Sequence, residues 1–133
     1  MDGKAVWAAS GSDVIKYLRG KENARLSNPL GSTLSSFIIF GNQLLALTED
    51  GKRMLVWDTA EGGKSINRLS ISHILKLEIV LQSTIEFDAN FTATTLLHPA
   101  TYLNKVLVGS SQGSLQLWNI RTQSVYPSLV TPL

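Results

Sequence analysis

A short unit of strand, turn and strand, ending in an aromatic residue, recurs along the chain and limits what it can fold into. Leu44-Leu45-Ala46-Leu47 runs through Thr48-Glu49-Asp50-Gly51-Lys52-Arg53 into Met54-Leu55-Val56-Trp57-Asp58. The design returns as Lys105-Val106-Leu107-Val108, then Gly109-Ser110-Ser111-Gln112-Gly113, then Ser114-Leu115-Gln116-Leu117-Trp118-Asn119. A weaker copy lies at the start, where Val6-Trp7-Ala8-Ala9 passes through Ser10-Gly11-Ser12-Asp13 into Val14-Ile15-Lys16-Tyr17. Short apolar runs bounded by Gly, Asn, Asp and Ser are strand texture. Asp50-Gly51 and Gly41-Asn42 supply the positive φ of tight turns and predict two successive hairpins.

The aromatic anchors Tyr17, Trp57 and Trp118 stand 40 and 61 residues apart. A period of about 40–45 residues, four strands long and closing on Trp-Asp, is the blade signature of a WD-repeat propeller. Trp57-Asp58 matches and Trp118-Asn119 nearly does, while the companion Gly-His dipeptide is absent. The spacing predicts an all-β fold: a partial WD-repeat β-propeller of about three four-stranded blades, too few to close alone.

The longer interval places its surplus in residues 62–80. Its second half alternates at Leu75, Leu77, Ile79 and Leu81, the texture of an added strand, with a short amphipathic helix as the alternative. Deleting 62–80 is expected to shorten the connection without removing a core strand. Ile85-Glu86-Phe87-Asp88 and residues 92–97 are expected to open the third unit. The chain thus divides into a blade portion with linker (1–30), a blade ending in Trp57-Asp58 (31–61), the extra segment (62–80), a blade ending in Trp118-Asn119 (81–124) and a divergent tail (125–133).

Composition narrows the function. With 133 residues, 44% hydrophobic and a mean hydropathy of +0.09, the chain has the apolar content of one domain with a core, and disorder is excluded. The absence of Cys removes disulfide scaffolds, thiolate zinc sites and cysteine nucleophiles, and favours a reducing intracellular home. The longest apolar runs fall far short of the roughly 18 residues of a membrane span, and no signal peptide is visible. Twelve basic and ten acidic residues give a net charge of +2, too small a margin to predict nucleic-acid binding. The one local excess, Lys16, Arg19, Lys21 and Arg25, is read as a solvated turn ahead of a basic partner-binding stripe. Charged residues make up 17% against a usual ~25%, which suggests a fragment or a surface covered by a partner.

No reactive constellation emerges, so catalytic, cofactor and metal residues are each assigned as none, and partner-binding residues stay unassigned. His73 and His98 lie in no metal-ligand spacing; His98-Pro99 suits a turn whose imidazole packs or hydrogen-bonds locally. Glu86 and Asp88 could form a carboxylate pair, but alternation with Ile85 and Phe87 favours a solvated strand face. Ser110, Ser111 and Ser114 flank Gly109 and Gly113 without a nucleophile elbow or phosphate loop, and both glycines read as turn residues. Asn90-Phe91-Thr92 is a sequon that a chain outside the secretory route would not use. The three Trp residues could stack bases, though a Trp ending an apolar run is better placed in a core.

Beyond this pattern, specific words are recognisable: Val14-Ile15-Lys16-Tyr17-Leu18-Arg19-Gly20-Lys21, Thr48-Glu49-Asp50-Gly51-Lys52-Arg53-Met54-Leu55-Val56-Trp57-Asp58, and His98-Pro99-Ala100-Thr101-Tyr102-Leu103-Asn104-Lys105 with Gly113-Ser114-Leu115-Gln116-Leu117-Trp118-Asn119. Over residues 3–61 and 81–124 the chain resembles the family of U-three small nucleolar RNA-associated protein twenty-one, the large WD-repeat subunits of the UTP-B complex, and within it the plant members. The resemblance implies a non-enzymatic scaffold without cofactors. It would be nucleolar or nuclear and would act in pre-ribosomal RNA processing and small-subunit assembly. Its implied partners are UTP-B subunits and other processome proteins, with pre-ribosomal RNA as a further contact and no membrane. The family passes almost directly from Glu61-Gly62 to Leu81-Gln82. Residues 62–80 and the tail therefore look like retained intron sequence and premature termination, or a truncated paralogue.

Three blades leave two open faces and unpaired edges. The expectation is self-association or completion by blades from another chain. Alternative roles are a nonfunctional or dominant-negative truncated product and a generic WD-repeat adaptor module; a small β enzyme would need a reactive set that the residues do not supply.

Overall fold

The computed structural model describes residues 5–59, 64–67, 76–99 and 104–126, and every regular element among them is a strand. The first three are β1 (Ala5–Ser10), β2 (Asp13–Leu18) and β3 (Lys21–Leu26), followed by β4 (Leu34–Phe40), β5 (Gln43–Thr48) and β6 (Arg53–Asp58). Then come β7 (Lys64–Asn67), β8 (Lys76–Ile79), β9 (Leu81–Glu86), β10 (Ala93–Leu97), β11 (Lys105–Ser110), β12 (Leu115–Asn119) and β13 (Ser124–Val125). They form three sheets, ordered β1-β2-β3-β8-β7, β4-β5-β6-β9 and β10-β11-β12-β13, here called the first, middle and last sheets. None closes on itself; the stack is a partial propeller of three sheets.

The predicted hairpins form where glycine permits them. Phe40 pairs with Gln43 across Gly41-Asn42, with Gly41 at φ 56°, the first-position glycine of a type II′ turn. Ser10 pairs with Asp13 across Gly11 at φ 62° in the same way. Between β2 and β3 the turn is Arg19-Gly20, at φ 54° and 81°, a type I′ turn in which a non-glycine occupies the left-handed region. Nothing in the sequence signals that arginine's role.

Backbone hydrogen bonds show how the sheets repeat. Thr59 N donates to Asn42 O at 2.7 Å, and Ile120 N to Asn104 O at 2.7 Å. Glu49 N donates to Thr33 O at 2.7 Å, and Ser111 N to Thr92 O at 2.9 Å. These bonds match β4, β5 and β6 with β10, β11 and β12. For the first sheet, Leu34 N donates to Gly11 O at 3.1 Å as Ala93 N donates to Gly51 O at 2.8 Å. The β1–β2 turn therefore corresponds to the β5–β6 turn, and β1, β2 and β3 to β5, β6 and β9. Among the described residues the first sheet has no counterpart of β4, and β1 is its edge.

Two sequence expectations are corrected by these pairings. Ile85 and Glu86, expected to open the third unit, close the middle sheet instead: β9 runs antiparallel to β6, with Met54 opposite Ile85 and Arg53 opposite Glu86. The extra segment is also no bare connection. From β6 the chain leaves the middle sheet and adds the antiparallel pair β7–β8 to the first, with β8 parallel to β3 (Ala24 opposite Leu77, Leu26 opposite Ile79), before returning as β9. Ile79 is buried between the first two sheets and its carbonyl accepts from Ser27 N at 3.3 Å, so 62–80 contributes a core residue. Residues 68–75 lie outside the described residues.

Both faces of the middle sheet are covered, which explains the near-continuous apolar run of β5. Leu44, Ala46, Leu55 and Trp57 pack with Val14, Ala24, Leu26 and Ile79 toward the first sheet. Leu45, Leu47, Met54, Val56 and Ile85 pack with Phe91, Ala93, Val106, Val108 and Ile120 toward the last.

Candidate interaction surfaces

The polar groups of the sequence are concentrated at the turns, where they hold the sheets in register. Thr48 is fully buried; its hydroxyl lies 2.7 Å from Asp50 Oδ1 and accepts from Arg53 N at 3.1 Å, while Asp50 Oδ1 accepts from Lys52 N at 3.0 Å. The Lys52 amide, then the Thr48 hydroxyl, hold the Asp50 carboxyl below its usual value, because both bonds favour the charged form. In the last sheet Ser110 takes the place of Thr48: its hydroxyl lies 2.8 Å from Ser114 Oγ and accepts from Ser114 N at 3.1 Å. The linker between the first two sheets is organised by buried Asn28, whose Oδ1 accepts from Leu30 N at 3.0 Å and whose Nδ2 donates to Ser32 O at 2.8 Å. Asn28 N donates in turn to Asp13 Oδ1 at 3.1 Å.

The basic cluster is dispersed. Arg25 is paired with Glu22 at 3.3 Å and Asp13 at 3.1 Å, and Glu22, then Asp13, raise its pKa above the ordinary value. Lys16 lies on the opposite sheet face, its Nζ 5.4 Å from the Trp7 ring centroid, a cation–π contact. Arg19 and Lys21 sit at the exposed hairpin end. These four side chains form no continuous stripe.

The remaining candidates make the following contacts where the structure describes them. The His98 imidazole stacks on Phe40, centroids 3.9 Å apart and planes 6° apart, joining the middle and last sheets. Glu86 is exposed and pairs with Arg53 at 3.4 Å, whereas Asp88 lies beyond the end of β9 and its carbonyl accepts from Phe91 N at 3.0 Å. Within the sequon Phe91 is buried and Thr92 N donates to Gln112 Oε1 at 2.9 Å. Trp57 is fully buried with its indole N–H on Ser27 O at 3.0 Å. Trp118 donates to Gln116 Oε1 at 2.9 Å and meets Phe87 edge-on at 6.0 Å. Gly113 turns at φ 88°, as expected, but Gly109 lies inside β11 opposite Leu115, where a Cβ would come within 2.7 Å of Thr95 Oγ1. The reading of Gly109 as a turn residue is corrected: it is a strand glycine against which the Thr95 side chain packs. His73 lies outside the described residues.

Two sheet faces have no further sheet packed on them among the described residues. On the last sheet, Leu97, Leu107 and Leu117 form one cross-strand row and Thr95, Gly109 and Leu115 the next. Leu97 is 63% and Leu115 43% exposed. An open hollow of about 440 Å³ lies among Thr95, Leu97, Leu107, Gly109 and Leu115. On the first sheet, Val6 pairs with Tyr17 and Ala8 with Ile15 on the face turned away from Val14 and Leu26, and Val6 is 60% exposed. No helix among the described residues is long and apolar enough to cross a membrane. No cluster of three or more His, Asp and Glu side chains there could hold a metal.

Three repeating sheets, joined by turn-to-strand hydrogen bonds and buried against one another, define a WD-repeat β-propeller module. The sequence matches the WDR36/Utp21 first beta-propeller over residues 1–129, and the chain belongs to that family. It is 32% identical to human WD repeat-containing protein 36 over 124 residues, covering 93% of this chain and 12% of that protein. It is 34% identical to the U3 small nucleolar RNA-associated protein 21 homolog of Schizosaccharomyces pombe over 115 residues, covering 85% and 11%. The chain therefore spans about one-eighth of the length of these relatives. Its fold is also similar to the crystal structure of human WBSCR16, with a TM-score of 0.52 at 15% identity, covering 99% of this chain and 37% of that one.

Proposed function

We propose that this chain is a non-catalytic scaffold module of ribosome biogenesis, acting in the nucleolus in pre-ribosomal RNA processing and small-subunit assembly through protein contacts. The observation that carries the reading is the family match over residues 1–129. UTP-B subunits and other processome proteins are the partners, and pre-ribosomal RNA is met within the assembly.

The test is affinity purification of the tagged chain from its native cells, with mass spectrometry for UTP-B subunits and imaging of the tag. Co-purification of those subunits with nucleolar signal is the expected result. Recovery of chaperones and proteasome alone would overturn the reading in favour of a nonproductive product.

A further inference from the structure

The geometry points to a peptide-docking edge on β9, where an extended segment of a partner protein adds a strand to the middle sheet, running parallel to β9. The inference stands on the internal repeat and is independent of the ribosomal reading.

The first sheet shows what such an edge accepts. β3 and β9 hold the same place in their sheets, and their registers match residue for residue. Leu26 pairs with Val14, Arg25 with Ile15 and Ala24 with Lys16; Ile85 pairs with Met54, Thr84 with Leu55 and Ser83 with Val56. Both ladders then shift at the aromatic anchor, between Lys16 and Tyr17 and between Val56 and Trp57. On its outer side β3 takes up β8, with Leu77 opposite Ala24 and Ile79 opposite Leu26. β9 has β6 on one side and, among the described residues, no strand on the other.

The backbone of β9 is set for the same pairing. In an antiparallel ladder alternate residues turn amide and carbonyl toward the partner strand. Phe87 N donates to Lys52 O at 3.0 Å, so Ile85 and Ser83 face β6 in the same way, while Thr84 and Glu86 direct their amides and carbonyls outward. Their counterparts are Arg25 and Ser27, and Ser27 N donates to Ile79 O at 3.3 Å. The middle sheet has another sheet on each of its faces, so this edge lies on the circumference of the stack, where a further blade at either end adds nothing.

Two side chains define what fits there. Trp57, in one core cluster with Ile79, is fully buried, whereas its counterpart Trp118 is half-buried. An apolar residue opposite Ile85 would stand to Trp118 as Ile79 stands to Trp57. Ser83 takes the place of Ala24, and its hydroxyl is buried with no hydrogen-bond partner among the described residues, a costly state that a hydroxyl or amide side chain opposite it would relieve. The occupant is therefore an extended segment reading Ser, Thr or Asn, then any residue, then Ile, Leu or Val. Main-chain hydrogen bonds give the affinity and these two positions the selectivity.

The probe is a fluorescently labelled peptide of residues 75–80 carrying Leu77→Thr, which keeps Ile79 and supplies the hydroxyl. Fluorescence anisotropy with the 133-residue chain should show saturable binding. Thr84→Pro removes an outward amide at a sheet edge, where proline is tolerated. It should weaken binding by about tenfold with an unchanged circular dichroism spectrum. Thr84→Val, which keeps the amide, should bind as the wild type does. In the wild-type chain the amides of Thr84 and Glu86 should exchange more slowly with the peptide present, a readout that holds even if Thr84→Pro does not fold. Absence of binding by the wild type, equal binding by Thr84→Pro, or unchanged exchange at Thr84 and Glu86 would overturn the proposal.

Discussion

The amide of Ala93 donates to the carbonyl of Gly51 across 2.8 Å, so the β5–β6 turn of the middle sheet grips the first strand of the last. Gly51 has φ 74°, and a Cβ there would come within 2.5 Å of Thr92 Cγ2 and 2.8 Å of Ala93 O. The turn glycine is therefore also a packing glycine.

Gly51→Ala should lower unfolding stability by about 2–5 kcal/mol, adding left-handed strain to overpacking against backbone. Gly113→Ala, at φ 88° with nothing within 4 Å, should lose only the conformational part, about 1–2 kcal/mol. Urea midpoints of the two variants decide it; equal losses would mean that the sheet-to-sheet contact at Gly51 contributes nothing.

Thr48 has no exposed surface, and its hydroxyl serves both the Arg53 amide and Asp50. Thr48→Val keeps the shape and removes the oxygen, leaving the part-buried Arg53 N–H without this acceptor at a cost of about 1–3 kcal/mol. An unchanged urea midpoint would show that water replaces the hydroxyl.

The Asp50 carboxyl titrates below its ordinary value in the folded chain, chiefly through the Lys52 amide and then the Thr48 hydroxyl. Its contribution to stability is fully present above the unfolded value of about 3.8–3.9 and disappears as pH falls through the lower folded value. Acid unfolding curves of Asp50→Asn should accordingly lose part of the wild-type slope below about pH 4. Superimposable slopes would refute the assignment.

Ile79 is buried between the first two sheets, so Ile79→Ala should destabilise by about 2–5 kcal/mol. Leu97→Ala, at a position 63% exposed, should shift the midpoint far less. If Ile79→Ala were neutral, β8 would not be docked on β3 as described.

Much of this molecule was legible as local pattern. Alternation and glycine position marked β1, β2, β5, β6, β11 and β12, and the 40-residue interval from Tyr17 to Trp57 marked the blade period. The family words located the chain among its relatives. The roles of Thr48, Asn28 and Arg19 were not legible, since a buried hydroxyl or a left-handed arginine leaves no periodic trace.

By itself the sequence determined which segments extend and where they turn, because side-chain alternation and positive φ are properties of neighbouring residues. Only the tertiary structure decided which sheet each strand joins. Ile85 and Glu86 read as the opening of the third unit until the Met54–Ile85 register assigned them to the end of the middle sheet. Gly109 became a strand residue only when Thr95 lay against it, and β8 crossed back to β3 by a parallel pairing between distant segments. A strand's edge offers the same amides and carbonyls to any neighbour, so partner choice rests on packing between faces, which no local pattern encodes.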